Sequence, residues 1–124
     1  MIDSGIYIAI FKLARTHPIS VGSLGAIRFP RGIYLYVGSA QRGLTKRLQR
    51  HARRHKPKHW HIDYLSSKAT FLGAIMLEGP KRLECRVAAM LARRCRVAVP
   101  DFGSSDCRCG GHLFHLDRMG DLRQ

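Results

Sequence analysis

The side chains best suited to phosphodiester chemistry lie in the first half of the chain. Tyr7 and Tyr36 each stand in a short apolar run. Arg47 and His51 follow, one helical turn apart, on a segment with helical periodicity. A nearby cation lowers the pKa of a tyrosine from its usual value of about 10, and an oriented arginine stabilises charge that develops on a phosphate. These residues predict one cleft that combines acid–base groups with a phosphate-binding cation.

One later carboxylate is the best candidate for a metal ligand. Glu84 lies at the edge of an apolar helical face, in a chain with only 8 acidic residues. Asp63 and Glu78 are its rivals, and with Lys81 they approach the acid-acid-lysine pattern of some nucleases, but the lysine is one place too far along. So few acids make a two-metal site hard to build, and one Mg²⁺ or Mn²⁺ ion is therefore expected.

The charge balance indicates a polyanionic partner. The chain has 22 Lys and Arg residues against 8 Asp and Glu, a formal net charge of +14, and 45% of its residues are hydrophobic. This composition is typical of a folded basic domain that binds nucleic acid. The residues expected to contact the nucleic acid are Arg50, Arg53, Arg54, His59 and Trp60.

Two members of this set allow a second interpretation. Trp60 can stack on a base or anchor the core, and the core position is the favoured one. A patch of histidines and one tryptophan follows the first predicted helix, namely His55, His59, Trp60 and His61. His59 is the histidine of this patch that is best placed to reach the cleft, as an acid or a phosphate ligand.

The cysteines near the end of the chain raise the question of structural zinc. Cys107 and Cys109 are followed by His112 and His115. The gap between the cysteines is tighter than the usual two to four residues, and the two histidines would face opposite sides of a strand. Thiols packed under a loop are the favoured alternative.

Length and hydropathy bound the class of protein. At 124 residues, a single domain over residues 1–124 is expected, with a frayed tail over 118–124. No apolar stretch approaches the roughly 18 residues of a spanning helix, so a membrane is not an expected partner. The first residues lack the features of a secretion signal, so a cytoplasmic location with reduced cysteines is expected.

Alternating periodicities predict an α+β fold with a small, mostly antiparallel sheet flanked by helices. The first three strands are expected to form an antiparallel meander. The predicted elements are strands over 5–13, 19–27 and 33–38, helices over 41–54 and 59–67, a strand over 70–77, a helix over 80–95 and a strand over 112–116.

The first predicted helix separates its basic residues into two groups. Its apolar seam consists of residues four apart, namely Leu44, Leu48 and Ala52. Arg47, His51 and Arg54 are predicted to flank this seam, whereas Arg50 and Arg53 are predicted to face water.

The ordered motifs resemble those of the GIY-YIG nuclease superfamily. They are Gly5-Ile6-Tyr7, Tyr36-Val-Gly-Ser-Ala40, Arg47-Leu-Gln-Arg-His51 and Glu84 on a later helix. Within the superfamily the chain resembles the small stand-alone Uri-type or DUF123 branch. That likeness rests on His59-Trp-His-Ile-Asp-Tyr-Leu65, Phe102-Gly-Ser-Ser-Asp-Cys-Arg-Cys109 and His112-Leu-Phe114, and it spans nearly the whole chain.

The resemblance implies a nuclease that breaks DNA strands with a single divalent metal. By that resemblance Tyr7 is the base or proton relay that activates water, and Tyr36 contacts the phosphate. Arg47 is the cation of the transition state, and His51 is an acid–base or positioning group. Glu84 is the metal ligand.

One departure from the pattern leaves the second tyrosine open. The superfamily usually joins its first two strands by a short hairpin, whereas Tyr7 and Tyr36 are separated here by a long connection. Tyr34 then competes with Tyr36, because alternation places both on the same face of a strand.

Three functions follow from these residues. A metal-dependent endonuclease is the leading hypothesis because the motifs occur in order. A non-catalytic nucleic-acid-binding module needs only the basic charge. A zinc-dependent structural or interaction protein needs Cys107 and Cys109 to bind metal.

Overall fold

The computed structural model describes residues 3–58, 60–99, 102 and 111–116, and these form the expected α+β fold. The strands are β1 (Gly5–Leu13), β2 (His17–Val21), β3 (Gly25–Phe29), β4 (Gly32–Ala40), β5 (Thr70–Leu77), β6 (Arg96–Val97) and β7 (Leu113–Leu116). The helices are α1 (Leu44–Ala52), α2 (His61–Ser66) and α3 (Leu83–Ala92). One five-stranded antiparallel sheet has the order β5-β1-β4-β7-β6.

Strand β1 lies inside the sheet and is buried on both faces. Its isoleucines Ile6 and Ile8 pack toward α3, while Tyr7, Ala9 and Phe11 pack in the core that includes α1 and α2. A strand covered on both sides must be apolar at nearly every position, which explains its uninterrupted hydrophobic sequence. The two helical layers therefore sit on opposite faces of the strand that carries the first candidate tyrosine.

The predicted three-stranded meander is wrong. Strands β1 and β4 pair directly, from Gly5 opposite Ala40 to Leu13 opposite Gly32. The inserted segment pairs with itself as the separate hairpin β2–β3, because a short 3₁₀ turn over Gly22–Leu24 folds its two halves back on one another. The hairpin contributes Ile19, Val21 and Phe29 to the core, so it extends the core rather than the sheet.

Helix α1 buries a different stripe from the one predicted. Leu44 is fully buried and Leu48 packs partly against the same core, but Ala52 is exposed and His51 is buried in its place. These buried positions follow the i, i+4, i+7 spacing of a helical face, so the histidine completes the seam. Arg54 lies beyond the end of the helix and donates a hydrogen bond to Thr70.

Arg50 does not face water as predicted. Its guanidinium donates two hydrogen bonds, of 3.1 and 2.9 Å, to the carboxylate of Asp63, which is fully buried. Asp63 also accepts a 2.9 Å hydrogen bond from the backbone N–H of Trp60, which caps α2. This ion pair joins the two helices that cover the tyrosine face.

Replacing Asp63 by asparagine is expected to lower the free energy of unfolding by about 3 kcal/mol, since it leaves the partly buried Arg50 cation without its counter-charge. Urea unfolding would measure the change. Asp3→Asn is the matched control, because Asp3 is an exposed carboxylate that accepts one backbone hydrogen bond from Gly43. A cost for Asp63→Asn no larger than that of the control would contradict this role.

None of the described helices is long and apolar enough to cross a membrane.

Candidate active site

Tyr7 and His51 form the buried centre of the site. The Tyr7 hydroxyl lies 2.7 Å from Nε2 of His51, and both side chains are almost fully buried. Burial lowers the pKa of His51 to about 3 and raises the pKa of Tyr7 to about 12, so both groups are neutral near pH 7. A neutral phenol next to a neutral imidazole is a donor and acceptor pair through which a proton can pass.

Arg47 is held beside this pair, half-buried as its position next to the seam predicts. Its Nη1 donates a 3.0 Å hydrogen bond to the carbonyl oxygen of Ser39, and its guanidinium lies 4.6 Å from the centre of the Trp60 ring. A hydrogen bond and the charge of Arg47 act to lower the pKa of Tyr7, although burial dominates. The Arg47 guanidinium is therefore fixed in orientation next to the Tyr7 hydroxyl.

Tyr36, rather than Tyr34, accompanies Tyr7. The ring centroid of Tyr36 lies 6.3 Å from that of Tyr7 and 5.9 Å from that of His51. Tyr34 donates its hydroxyl to the carbonyl oxygen of Pro30 and packs 4.8 Å from the ring of His115. The sheet register explains the difference. Tyr36 lies opposite Ala9, two residues from Tyr7 on β1, whereas Tyr34 lies opposite Phe11, four residues from Tyr7.

Gly38 makes room for Tyr7. The two residues are direct partners across the β1–β4 ladder, and a Cβ atom on Gly38 would collide with the Tyr7 hydroxyl and ring. The glycine of this motif is thus required by the position of the tyrosine ring, and any larger residue would displace it.

Glu84 reaches the same end of the sheet from the other face. It lies in the first turn of α3 and accepts a hydrogen bond from the Ser39 hydroxyl, and its Oε2 lies 2.8 Å from Nδ1 of His112. Burial acts to raise the pKa of Glu84, but hydrogen bonds from His112 and Ser39 outweigh it and hold the pKa below its usual value. The carboxylate is therefore ionised at neutral pH.

Ser39 and His112 are site residues that sequence reasoning missed. Ser39 connects the two faces, because its carbonyl oxygen receives Arg47 and its hydroxyl donates to Glu84. Alternation along β4 was the available signal, since it places Ser39 and Tyr36 on opposite faces. His112 was considered only as a zinc ligand; it lies just before β7, and nothing local in the sequence indicates its contact with Glu84.

The described side chains offer Glu84 as a candidate metal ligand but no complete set of protein ligands around it. Within the described ranges, no three His, Cys, Asp or Glu side chains are grouped to hold a metal. The rivals of Glu84 are elsewhere, because Asp63 is paired with Arg50 and Glu78 is exposed. Mg²⁺ commonly takes one or two carboxylates and completes its shell with water and substrate phosphate, so a single carboxylate such as Glu84 is compatible with that mode of binding.

The residues expected to contact nucleic acid differ in their exposure and in their partners. Trp60 is 39% exposed, so the favoured core position is wrong. The guanidinium groups of Arg47 and Arg50 lie 4.6 and 4.8 Å from the centre of its ring. Arg50 is committed to Asp63, whereas Arg53 and Arg54 are exposed at the end of α1. His59 lies outside the described residues.

The residues of the zinc hypothesis are not brought together within the described parts of the chain. Cys107, Cys109 and the tail over 118–124 lie outside those parts. His112 contacts Glu84, while His115 contacts Arg96 and the Arg31 carbonyl oxygen at 2.9 Å each. The two histidines therefore serve different contacts.

The buried neutral state of His51 should make the protein acid-sensitive. In the unfolded chain a histidine binds a proton near pH 6.5, whereas folded His51 stays neutral down to about pH 3. The unfolded state thus binds the extra proton in this window, so stability is full above pH 6.5 and falls as the pH drops, by up to about 1.4 kcal/mol per pH unit.

His51→Gln is expected to remove this slope, which urea unfolding from about pH 7 to about pH 4 would measure. The matched control is His17→Gln, since His17 is exposed on β2. If both variants retain the wild-type slope, His51 does not titrate with unfolding.

Comparison with known proteins gives one match. A family model described as DUF123, a domain of unknown function, matches residues 6–124. No curated protein and no solved structure matches the chain.

Proposed function

Because the chain belongs to the DUF123 family, whose function is unknown, we propose an activity from the site itself. The protein is a metal-dependent endonuclease that hydrolyses phosphodiester bonds in DNA. The observation that carries this proposal is the contact of Tyr7 with His51 beside the fixed guanidinium of Arg47, with Glu84 at the same end of the sheet. The order of the motifs supports a place for the chain in the GIY-YIG superfamily.

Tyr7 and His51 move the proton of the attacking water. The Tyr7 oxygen takes that proton while its own proton passes over 2.7 Å to Nε2 of His51. A neutral phenol can take a proton only while it gives up its own, so the relay needs the acceptor nitrogen of His51 within hydrogen-bond distance of the Tyr7 hydroxyl. Because burial lowers the pKa of His51 to about 3, the imidazolium forms only while negative charge develops on the phosphate, and the proton then returns through Tyr7 to an oxygen of the product phosphate.

Arg47 stabilises the charge that develops on the phosphate. Its guanidinium is pre-oriented by Ser39 and Trp60, so little reorganisation is needed in the transition state. Tyr36 lies next to Tyr7 and is assigned to the phosphate. Burial raises the pKa of Tyr36 well above its usual value, so its hydroxyl stays protonated and can donate a hydrogen bond to phosphate oxygen.

Glu84 would hold one Mg²⁺ or Mn²⁺ ion. The chemistry that such an ion supplies when bound is charge neutralisation on the phosphate and on the leaving oxygen. Ser39 and His112 keep the carboxylate ionised and fixed, which suits it to an incoming cation.

The chemistry of the surface supports the substrate class and location. A formal charge of +14 favours a polyanion, and Arg53, Arg54 and Trp60 are exposed near the cleft. A reduced thiol at Cys95 is compatible with the reducing cytoplasm.

The proposal is tested with labelled duplex, branched and single-stranded DNA, and with RNA, each incubated with Mg²⁺, Mn²⁺ or EDTA. Metal-dependent strand breaks in DNA are expected, and the preferred member of the panel identifies the substrate. Binding to the whole panel without strand breaks in any metal would instead favour a non-catalytic binding module.

A further inference from the structure

The outer edge of β5 carries an exposed apolar surface. β5 pairs with β1 on one side, and on the other side the described residues place no strand. Its eight residues include no charged side chain and no proline. Four of the exposed large hydrophobic side chains lie on it: Leu72 (51%), Ile75 (50%), Met76 (43%) and Leu77 (41%).

This edge lacks the features that keep single copies apart. Monomeric sheet proteins protect edge strands by shortness, by proline or by charge, since unpaired N–H and C=O groups recruit another strand. The opposite edge of the same sheet has such protection, because β6 has only two residues and one of them is Arg96. On β5 the register shift lies between its partners Ile10 and Phe11, which leaves the stretch from Gly73 to Leu77 in regular pairing with β1.

The chemistry of β5 fits a second copy of the chain better than nucleic acid. A surface that binds nucleic acid needs Lys or Arg, and this strand has neither in a chain of net charge +14. Lys68 precedes β5 and Glu78 follows it, and both are exposed. Antiparallel pairing of two copies brings the Lys68 end of each strand to the Glu78 end of the other, so two-fold symmetry creates this opposite-charge contact twice.

We propose that β5 pairs in antiparallel fashion with β5 of a second copy, which makes a two-fold dimer with one sheet running through both copies. No charged side chain of β5 itself opposes the pairing, and the strand buries its exposed apolar side chains there. A register centred on Gly73 sets Lys68 directly opposite Glu78 of the second copy, with the irregularity at Leu72 next to the two-fold axis.

The dimer leaves the candidate active site accessible. Tyr7 is on β1, opposite Met76 of β5, so it lies one strand away from the proposed interface. The two-fold axis of an antiparallel strand pair is perpendicular to the sheet, so both Tyr7 faces lie on the same side of the joined sheet. The proposal concerns assembly and does not depend on nuclease activity.

Sedimentation equilibrium of the full chain over a wide concentration range tests the dimer. Wild type is expected to reach about twice the 14.0 kDa of one chain. Ile75→Lys should raise the dissociation constant at least about 10-fold, because a lysine on an edge strand opposes pairing with a second strand and would have to be buried against the second copy. Val97→Lys, on the opposite edge at 37% exposure, is the control and should leave dimerisation unchanged.

A charge exchange gives a second and independent readout. Lys68→Glu and Glu78→Lys should each weaken the dimer, and the double variant should restore it. Circular dichroism verifies that every variant is folded. A wild type that is monomeric at all concentrations, equal effects of Ile75→Lys and Val97→Lys, or failure of the double exchange to rescue would each overturn the proposed interface.

Discussion

Arg47→Ala is expected to slow cleavage about 10²–10³-fold while DNA affinity changes by less than about threefold. Arg47 differs from Arg50, the other arginine of α1, because the Ser39 carbonyl oxygen holds it near the Tyr7 hydroxyl, whereas Arg50 is paired with Asp63. Such a cation acts mainly on charge that forms in the transition state, so its loss affects the rate far more than ground-state binding. Single-turnover cleavage and a binding titration on the same DNA measure the two quantities.

Arg53→Ala is the matched control for this experiment. Arg53 is exposed immediately after α1, so its loss should weaken binding modestly and reduce the salt dependence of affinity, with the rate of the bound complex unchanged. Arg47→Lys keeps the charge but not the planar fork, and it is expected to remain slow. If Arg47→Ala and Arg53→Ala reduced binding and cleavage in parallel, Arg47 would be an ordinary phosphate contact.

Tyr7→Phe is expected to slow cleavage about 10²–10⁴-fold, because it removes the hydroxyl that passes the water proton to His51. Tyr34→Phe is the matched control. Tyr34 is also a buried tyrosine on the same sheet with a hydrogen-bonded hydroxyl, but it donates to the Pro30 carbonyl oxygen away from His51. Both variants should lose about 1 kcal/mol of stability.

The comparison of rates between the two tyrosine variants isolates the chemical role of the hydroxyl. Near-wild-type cleavage by Tyr7→Phe, or an equal loss in Tyr34→Phe, would exclude Tyr7 from proton transfer. The pH profile adds a readout, since a relay through a histidine with a pKa of about 3 should show no activity transition near pH 6.5.

The sequence predicted correctly those strands whose bounds coincide with a continuous apolar run. Strands β1 and β5 begin and end where their apolar runs do. Burial on both faces explains the run in β1, whereas the run in β5 lies on an exposed edge. The insert between β1 and β4 was misassigned, because nothing local distinguishes a strand that joins the main sheet from a hairpin that pairs with itself. That choice depends on long-range packing against the core.

In the candidate site, too, the sequence predicted the positions of residues on their elements but not the contacts between elements. Helical spacing and alternation placed Tyr7, Tyr36, Arg47 and His51 on elements that the fold brings together. Spacing could not show that Arg50 is occupied by Asp63, because those residues meet only when α1 and α2 pack.

Two further features of the site also depend on tertiary structure. His51 was expected on the flank of the seam and is buried within it, since a histidine becomes a core residue only when its partner supplies a hydrogen bond. The contact of His112 with Glu84 joins residues from distant parts of the chain.

The most direct test of the proposed activity is a Mg²⁺ titration of single-turnover DNA cleavage by wild type, Glu84→Gln and Glu78→Gln. Glutamine keeps the size of Glu84 and can still accept from Ser39, but it lacks the charge that attracts a cation, and Glu78 is an exposed control. The expected result is Mg²⁺-dependent cleavage by wild type and Glu78→Gln, and a loss of at least about 10²-fold in Glu84→Gln at every Mg²⁺ concentration. Cleavage by Glu84→Gln with the wild-type Mg²⁺ dependence, or no cleavage by wild type, would contradict the account.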